Sequence, residues 1–227
     1  MTSDRPRSQP PPGGTALVVL AAGQGARMRS ALPKPLHPVA GLPMVSHVLR
    51  AGAAVRPEVA VLVVARGFPD LAARIDAPIP LVTVVQDPPR GTGDAVRCAL
   101  DVAGDVARIV VLYADHPLLT AETVTRLVDG AQESGAKATV LTVLLPDAGG
   151  YGRIDRDDQG RPVRIVERKD DAPERRRGPT EINSGMMVLD ATWARAAVQS
   201  LTPSPATGEY YLTDLVALAM ADGPGAG

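Results

Sequence analysis

The stretch LVVLAAGQGARMRSALPKPL (residues 17–36) begins as an unbroken apolar run and turns, at residue 23, into a loop of glycines, arginines and a lysine. A strand without polar alternation is one buried on both faces, the situation of a parallel sheet covered by helices on either side. The runs ALVVLAA, VAVLVVA, PLVTVVQ and ARIVVLYA repeat the pattern, and segments of helical character such as PMVSHVLRAGAA and GDAVRCALDVA stand between or after them. Repeated strand–helix units predict an α/β fold, a Rossmann-like doubly wound, mixed but mainly parallel sheet.

After a further helical segment, ETVTRLVDGAQESG, the character changes. KATVLTVLL reads as a strand, and YGRIDRDDQGRPVRIVER as a hairpin turning at DDQG. This half is expected to be a small β-rich lobe. KDDAPERRRGPT is charged and non-periodic, the composition of a mobile surface loop. Strand EINSGMMVLD, helix ATWARAAVQSL and helix EYYLTDLVALAM complete the expectation.

Composition narrows the function. Lys and Arg total 24 against 25 Asp and Glu, so a net charge of -1 gives no general attraction to nucleic acid or to an anionic membrane. Neither is expected as a partner, and any anion site must be local. The single cysteine, Cys98, excludes an internal disulfide framework and fits the cytoplasm; it reads as a buried small apolar residue. Residues 1–14 are expected to form a disordered Pro-rich tail without a signal peptide's apolar segment. Residues 15–222 are expected to form one domain, and 223–227 a flexible end.

In an open α/β sheet, ligands sit beyond the carboxyl ends of the strands. Gly23 and Gly25 let backbone N–H groups approach an anion there. The loop lacks the Gly-Lys-Ser/Thr ending of a Walker loop and the third glycine of a dinucleotide fingerprint. Arg27, Arg29 and Lys34 follow instead, with Pro33 and Pro35 stiffening the chain around the lysine, as a triphosphate clamp requires. In QDPPRGTGDAV, Gln86 offers an amide to a base edge, and Gly91 and Thr92 open a helix, Thr92 doubling as its cap. Asp115 ends the strand RIVVLYA with a hard oxygen donor suited to magnesium, while the neighbouring His116 lacks partners for a metal site.

LAAGQGARMRSALPKPLHPVAG, QDPPRGTGDAV, VLYADHPLL, YGRI, VERKDD, EINSGMMV and GEYYLTDLVALA occur in this order. In these motifs the chain resembles the sugar-phosphate nucleotidyltransferases, specifically the uridylyltransferase domain of bacterial N-acetylglucosamine-1-phosphate uridylyltransferases. The resemblance implies transfer of UMP from UTP to N-acetylglucosamine 1-phosphate, giving UDP-N-acetylglucosamine and pyrophosphate for cell-wall and lipopolysaccharide precursors. It implies catalytic roles for Arg27 and Lys34, substrate contacts from Leu20, Ala21, Ala22, Gly23, Gly25 and Thr92, and a Mg2+ ligand in Asp115. Gln86 and Gly91 would read uracil. Gly152, Glu167, Asn183, Tyr211 and Thr213 would line the acetylamino-sugar site in the β-rich lobe.

The sequence departs from that pattern at Ala26 (commonly Thr), Ala114 (commonly Gly) and Asp94 (commonly His). A downstream strand with a metal-binding Asn and the acetyltransferase β-helix, which drives trimer formation, are not in the chain. No acetyltransferase activity is therefore expected of it, and the oligomeric state stays open. A related nucleotidyltransferase for another sugar or base, such as a molybdenum-cofactor type, and a weakly catalytic nucleotide-binding remnant are the alternatives.

Overall fold

The structure, a computed structural model, describes residues 13–223 apart from 24, 26, 27 and 177. The proposed tails at 1–12 and 224–227, and the Arg27 assignment, lie outside the described residues.

The strands in chain order are β1 (Thr15–Ala21), the short pair β2 (Pro38–Val39) and β3 (Leu42–Pro43), β4 (Val59–Ala65), β5 (Leu81–Gln86), β6 (Arg108–Tyr113), β7 (Ala138–Leu145), β8 (Arg153–Arg156), β9 (Pro162–Val166) and β10 (Thr180–Asp190). The helices are α1 (Met44–Gly52), α2 (Thr92–Leu100), α3 (Ala121–Ser134), α4 (Ala191–Ala197) and α5 (Asp214–Ala221). An eight-stranded sheet runs β5-β4-β1-β6-β10-β8-β9, with β7 also on β10. β5, β4, β1 and β6 are mutually parallel, and β10 lies antiparallel to β6, β7 and β8.

Every residue of β1 is buried. Ala16, Val18 and Leu20 pack on one face with α2, α4 and α5, while Leu17, Val19 and Ala21 pack on the other with α1 and α3. Each such side chain removed from water contributes roughly 1.5–3 kcal/mol when large. The continuous apolar run is therefore explained by a sheet covered on both faces.

The chain leaves β1 for β4 and β5 on one side, then returns to β6 on the other. The order reverses between β1 and β6, and a crevice opens where their following loops part. The Ala114 N–H donates to the Leu20 carbonyl at 3.1 Å, tying the two loops together at that point.

Several local expectations are corrected. Residues 209–213 are not helical: the Tyr210 N–H donates to the Arg90 carbonyl, the Gly93 N–H to the Tyr210 carbonyl, both at 2.8 Å, and α5 starts only at Asp214. These bonds hold the segment extended against the start of α2. Thr92 does not cap α2; Gly91 occupies that position without a side-chain cap, and Thr92 Oγ1 accepts from the Leu212 N–H at 3.0 Å. Cys98 is half-buried rather than buried. Within the charged segment, Asp171 accepts from Arg153 Nε and Nη2 at 3.0 Å each through its two oxygens. Among the described residues no helix is long and apolar enough to cross a membrane.

Candidate active site

A cleft of about 860 Å³ occupies the crevice between the β1 and β6 loops. Leu20 and Ala21 at the end of β1, with Ala22, Gly23 and Gly25 just beyond it, form one wall; Lys34, Asp115, Gln86, Gly91 and Thr92 also line it. All ten of these residues were expected at a substrate site, and the fold brings them to one cavity.

Gly25 has φ +59, and a Cβ there would lie 2.8 Å from the Cβ of Lys34. The loop can press against the lysine only because that atom is missing. Lys34 opens a single 3-10 turn, Lys34–Leu36, in which Pro35 and Leu36 are buried. Its backbone is thereby fixed while its ammonium ion-pairs with Asp115, both side chains about a third exposed at 31% and 32%.

Gln86 ends β5 and is buried. Its Nε2 donates to the Gly91 carbonyl and to Asp94 Oδ2, at 2.9 Å each. Gly91 has φ +108, and a Cβ would fall 2.5 Å from the Tyr210 carbonyl oxygen, so only glycine fits between β5 and the Tyr210 segment.

The five residues expected at a sugar site do not line this cleft. Four of them cluster on the β8–β10 lobe: the Asn183 N–H donates to the Gly152 carbonyl at 2.8 Å, Asn183 Oδ1 accepts from the Gly185 N–H at 2.9 Å, and Thr213 Oγ1 donates to Glu167 Oε1 at 2.9 Å. Gly152 lies against Ile165 and Glu167, where a Cβ would come within 3.0 Å and 3.4 Å. Tyr211 stands apart from these bonds, its hydroxyl 2.8 Å from Thr207 Oγ1. Near the cluster, Asp214 is held above the ordinary carboxylate range by burial and by the charges of Glu167 and Asp170.

Tyr113, which sequence reasoning missed, stands between the two groups. It lines the cleft, and its phenol is pushed well up, by burial first and then by the charges of Glu167 and Asp115. Its ring lies against Gly185, where a Cβ would come within 2.7 Å, and 5.7 Å from the His116 ring. The one available signal was an aromatic side chain ending the strand that delivers Asp115.

No group of three or more His, Cys, Asp or Glu that could cage a metal occurs among the described residues. Asp115 nonetheless fits a magnesium ion, which is typically held by one or two carboxylates together with substrate phosphates and water.

A protein-family model, the MobA-like NTP transferase domain, matches residues 17–153. The chain belongs to the MobA-like NTP transferase family. Its matched region runs from β1 through the first residue of β8 and so contains every residue that lines the cleft except Glu209. The chain is 46% identical over 208 residues to the bifunctional protein GlmU of Halorhodospira halophila, covering 92% of this chain and 42% of that protein. It is 44% identical over 207 residues to that of Chromohalobacter salexigens, covering 91% and 45%. The chain thus spans less than half the length of these curated relatives. Among solved structures, UDP-glucose pyrophosphorylase superposes in its apo form with a TM-score of 0.75 at 17% identity, over 92% of this chain and 88% of the other. Its complex with UDP-glucose gives 0.73 at 18%, over 91% and 87%. At that identity the match supports the α/β fold of this NTP transferase domain alone.

Proposed function

We propose that the protein transfers the uridylyl group of UTP to N-acetylglucosamine 1-phosphate, releasing pyrophosphate. The observation that carries this reading is the cleft itself: an anion loop with its lysine, a carboxylate and a base-reading amide share one cavity, with a polar cluster on the adjoining lobe. Similarity to GlmU proteins over nearly the whole chain supports the choice of base and sugar.

The sugar phosphate attacks the α-phosphorus of UTP through an oxygen, forming a new P–O bond. The bond to the β-phosphate oxygen breaks, and pyrophosphate leaves with that electron pair. A phosphate monoester with a second pKa of about 6 is already an oxyanion near neutral pH, so the chain has no proton to remove. Its task is to hold two anions in line and to offset charge on the leaving group. Gly23 and Gly25 leave room for the triphosphate, and Lys34 exchanges Asp115 for phosphate oxygens as UTP enters. Gln86 and Gly91 hold the base, and Leu20, Ala21, Ala22 and Thr92 shape the walls around the nucleotide. Gly152, Glu167, Asn183, Tyr211 and Thr213 receive the acetylamino sugar. Asp115 would hold magnesium, which when bound neutralises phosphate charge. A requirement for UTP and the lack of a disulfide framework support a cytoplasmic setting.

Pyrophosphate release tests the reading, with UTP, CTP and GTP each offered N-acetylglucosamine 1-phosphate, glucose 1-phosphate or no sugar, with magnesium and with chelator. Turnover confined to UTP, the acetylated sugar and added metal is expected. UTP binding without turnover on any sugar would overturn it.

A further inference from the structure

Asp94 is a carboxylate with only 2% of its surface exposed, on the first turn of α2, and the phosphate chemistry above gives it no task. Its surroundings are unusually complete. Oδ1 accepts from Arg90 Nη2 at 2.8 Å and lies 3.5 Å from Arg97 Nη1, and Oδ2 accepts from Gln86 Nε2 at 2.9 Å. Both guanidinium groups rest against the Tyr210 ring, at 5.8 Å and 5.1 Å from its centroid. Tyr210 is fixed in turn by its backbone bonds to Arg90 and Gly93. The carboxylate is therefore held by α2 and the Tyr210 segment and presents one oxygen to the end of β5.

That oxygen decides how the Gln86 amide is oriented. A glutamine amide can be turned end for end with little change in shape, and its neighbours decide which end is which. Here Nε2 faces the Gly91 carbonyl and the Asp94 carboxylate, two groups that only accept. Both amide hydrogens are committed to the protein. Turning the amide would set Oε1 against two acceptors. Oε1 and the Gly91 N–H have no hydrogen-bond partner among the described residues, and both residues line the cleft.

A free acceptor on one lining residue and a free donor on another, held together by the bond from Nε2 to the Gly91 carbonyl, match an imide edge. Uracil offers N3–H to the acceptor and a flanking carbonyl to the donor. Cytosine presents an unprotonated N3 to the acceptor, a repulsive contact, and an amino group instead of a carbonyl wherever the donor faces its C4 side. We propose that Asp94 is a positioning residue that locks the polarity of the Gln86 amide and thereby makes the pocket prefer uracil over cytosine. The proposal rests on the uridylyl-transfer reading and adds to it a residue that touches no substrate.

The test is Asp94→Asn in the full chain, a variant whose neutral amide can offer Gln86 either an oxygen or an NH2. Binding of UTP, CTP and inorganic tripolyphosphate is measured by calorimetry. The ratio of UTP to CTP affinity should fall about tenfold, as loss of one enforced hydrogen-bond polarity implies, while tripolyphosphate affinity is unchanged. A residue that only supported the fold would weaken all three together, and that result overturns the proposal. Equal wild-type affinity for UTP and CTP overturns the uridylyl reading and this proposal with it. A wild-type preference left intact by Asp94→Asn overturns this proposal alone. Should the variant fail to fold, hydrogen exchange of the Gln86 side-chain amide in the wild-type protein, assigned by its loss in Gln86→Met, gives the answer. Both hydrogens should exchange more slowly than those of an exposed glutamine, and exchange at the exposed rate overturns the assignment.

Discussion

Lys34 and Asp115 lie 81 positions apart in sequence and meet at the mouth of the cleft. Because both side chains keep about a third of their surface in water, the pair is worth at most about 1 kcal/mol to the fold. In the proposed reaction their importance is electrostatic and directed at substrate, so stability and turnover should separate. Lys34→Gln is expected to lower kcat/KM by about 10²–10³, the usual loss on removing one charge-stabilising donor, as read from pyrophosphate release. Asp115→Ala should abolish magnesium-dependent turnover while shifting the urea midpoint by no more than the pair's ~1 kcal/mol. Asp115 stood out because it closely follows an apolar strand, and Lys34 because it lies between two prolines in the loop after another. Asp94 was legible only as a departure from a family pattern: Arg97 stands one turn on along α2, but Gln86, the partner that gives the carboxylate its meaning, reaches it only once β5 and α2 are packed. Tyr113 was invisible for a related reason: an aromatic at a strand end has no periodicity to mark it as a wall shared by two ligand regions.

At the scale of elements, the strands announced themselves through continuous apolar runs, and the hairpin through its turn, where the Gly160 N–H returns to the Asp157 carbonyl at 2.9 Å. What periodicity could not show is where backbone hydrogen-bonding groups are used by another element. Residues 209–213 have helical composition, yet Tyr210 spends its N–H and carbonyl on the segment before and within α2. β10 contains a second such feature. Its register with β7 shifts between Asn183 and Met187, and Gly185 within the irregularity has φ +89 and abuts the Tyr113 ring. Gly185→Ala would place an L side chain in a backbone region it rarely adopts, directly against an aromatic wall. A loss of about 2 kcal/mol in urea unfolding is expected, accompanied by weaker UTP binding as Tyr113 is displaced. An unchanged midpoint would show that Tyr113 can yield.

At the scale of the whole molecule, the β8–β10 lobe is stapled by Arg153, only 8% exposed, which bridges Asp171 through two hydrogen bonds and also pairs with Asp155. Removing one partner of a buried ionic network leaves uncompensated charge. Arg153→Met should therefore cost about 3 kcal/mol at pH 7 by urea denaturation. Burial by itself would raise the Asp155 carboxyl, but hydrogen bonds from Arg153 and Arg164, with the charges of Arg153 and Arg175, hold it below its ordinary value. A carboxyl depressed in the folded state stabilises above its unfolded pKa, and that contribution is lost as pH falls through the folded one. The difference between wild type and variant should accordingly narrow below about pH 4. The sequence showed this lobe as a hairpin followed by a charged loop; the pairing of Arg153 with Asp171 depends on a chain path that no local pattern encodes.

Among the described residues β10 is also the last strand of the sheet in chain order, and it pairs with β6, β7 and β8 at once. On a ribosome that delivers residues in order, the four parallel strands are complete by residue 113. The outer edge of β6 then waits unpaired until residues 187–190 emerge. An open apolar strand edge is a template for pairing with other chains. The strand that carries Asn183 of the polar cluster and Gly185 against the cleft's Tyr113 therefore also sets how long the nascent protein is exposed to aggregation.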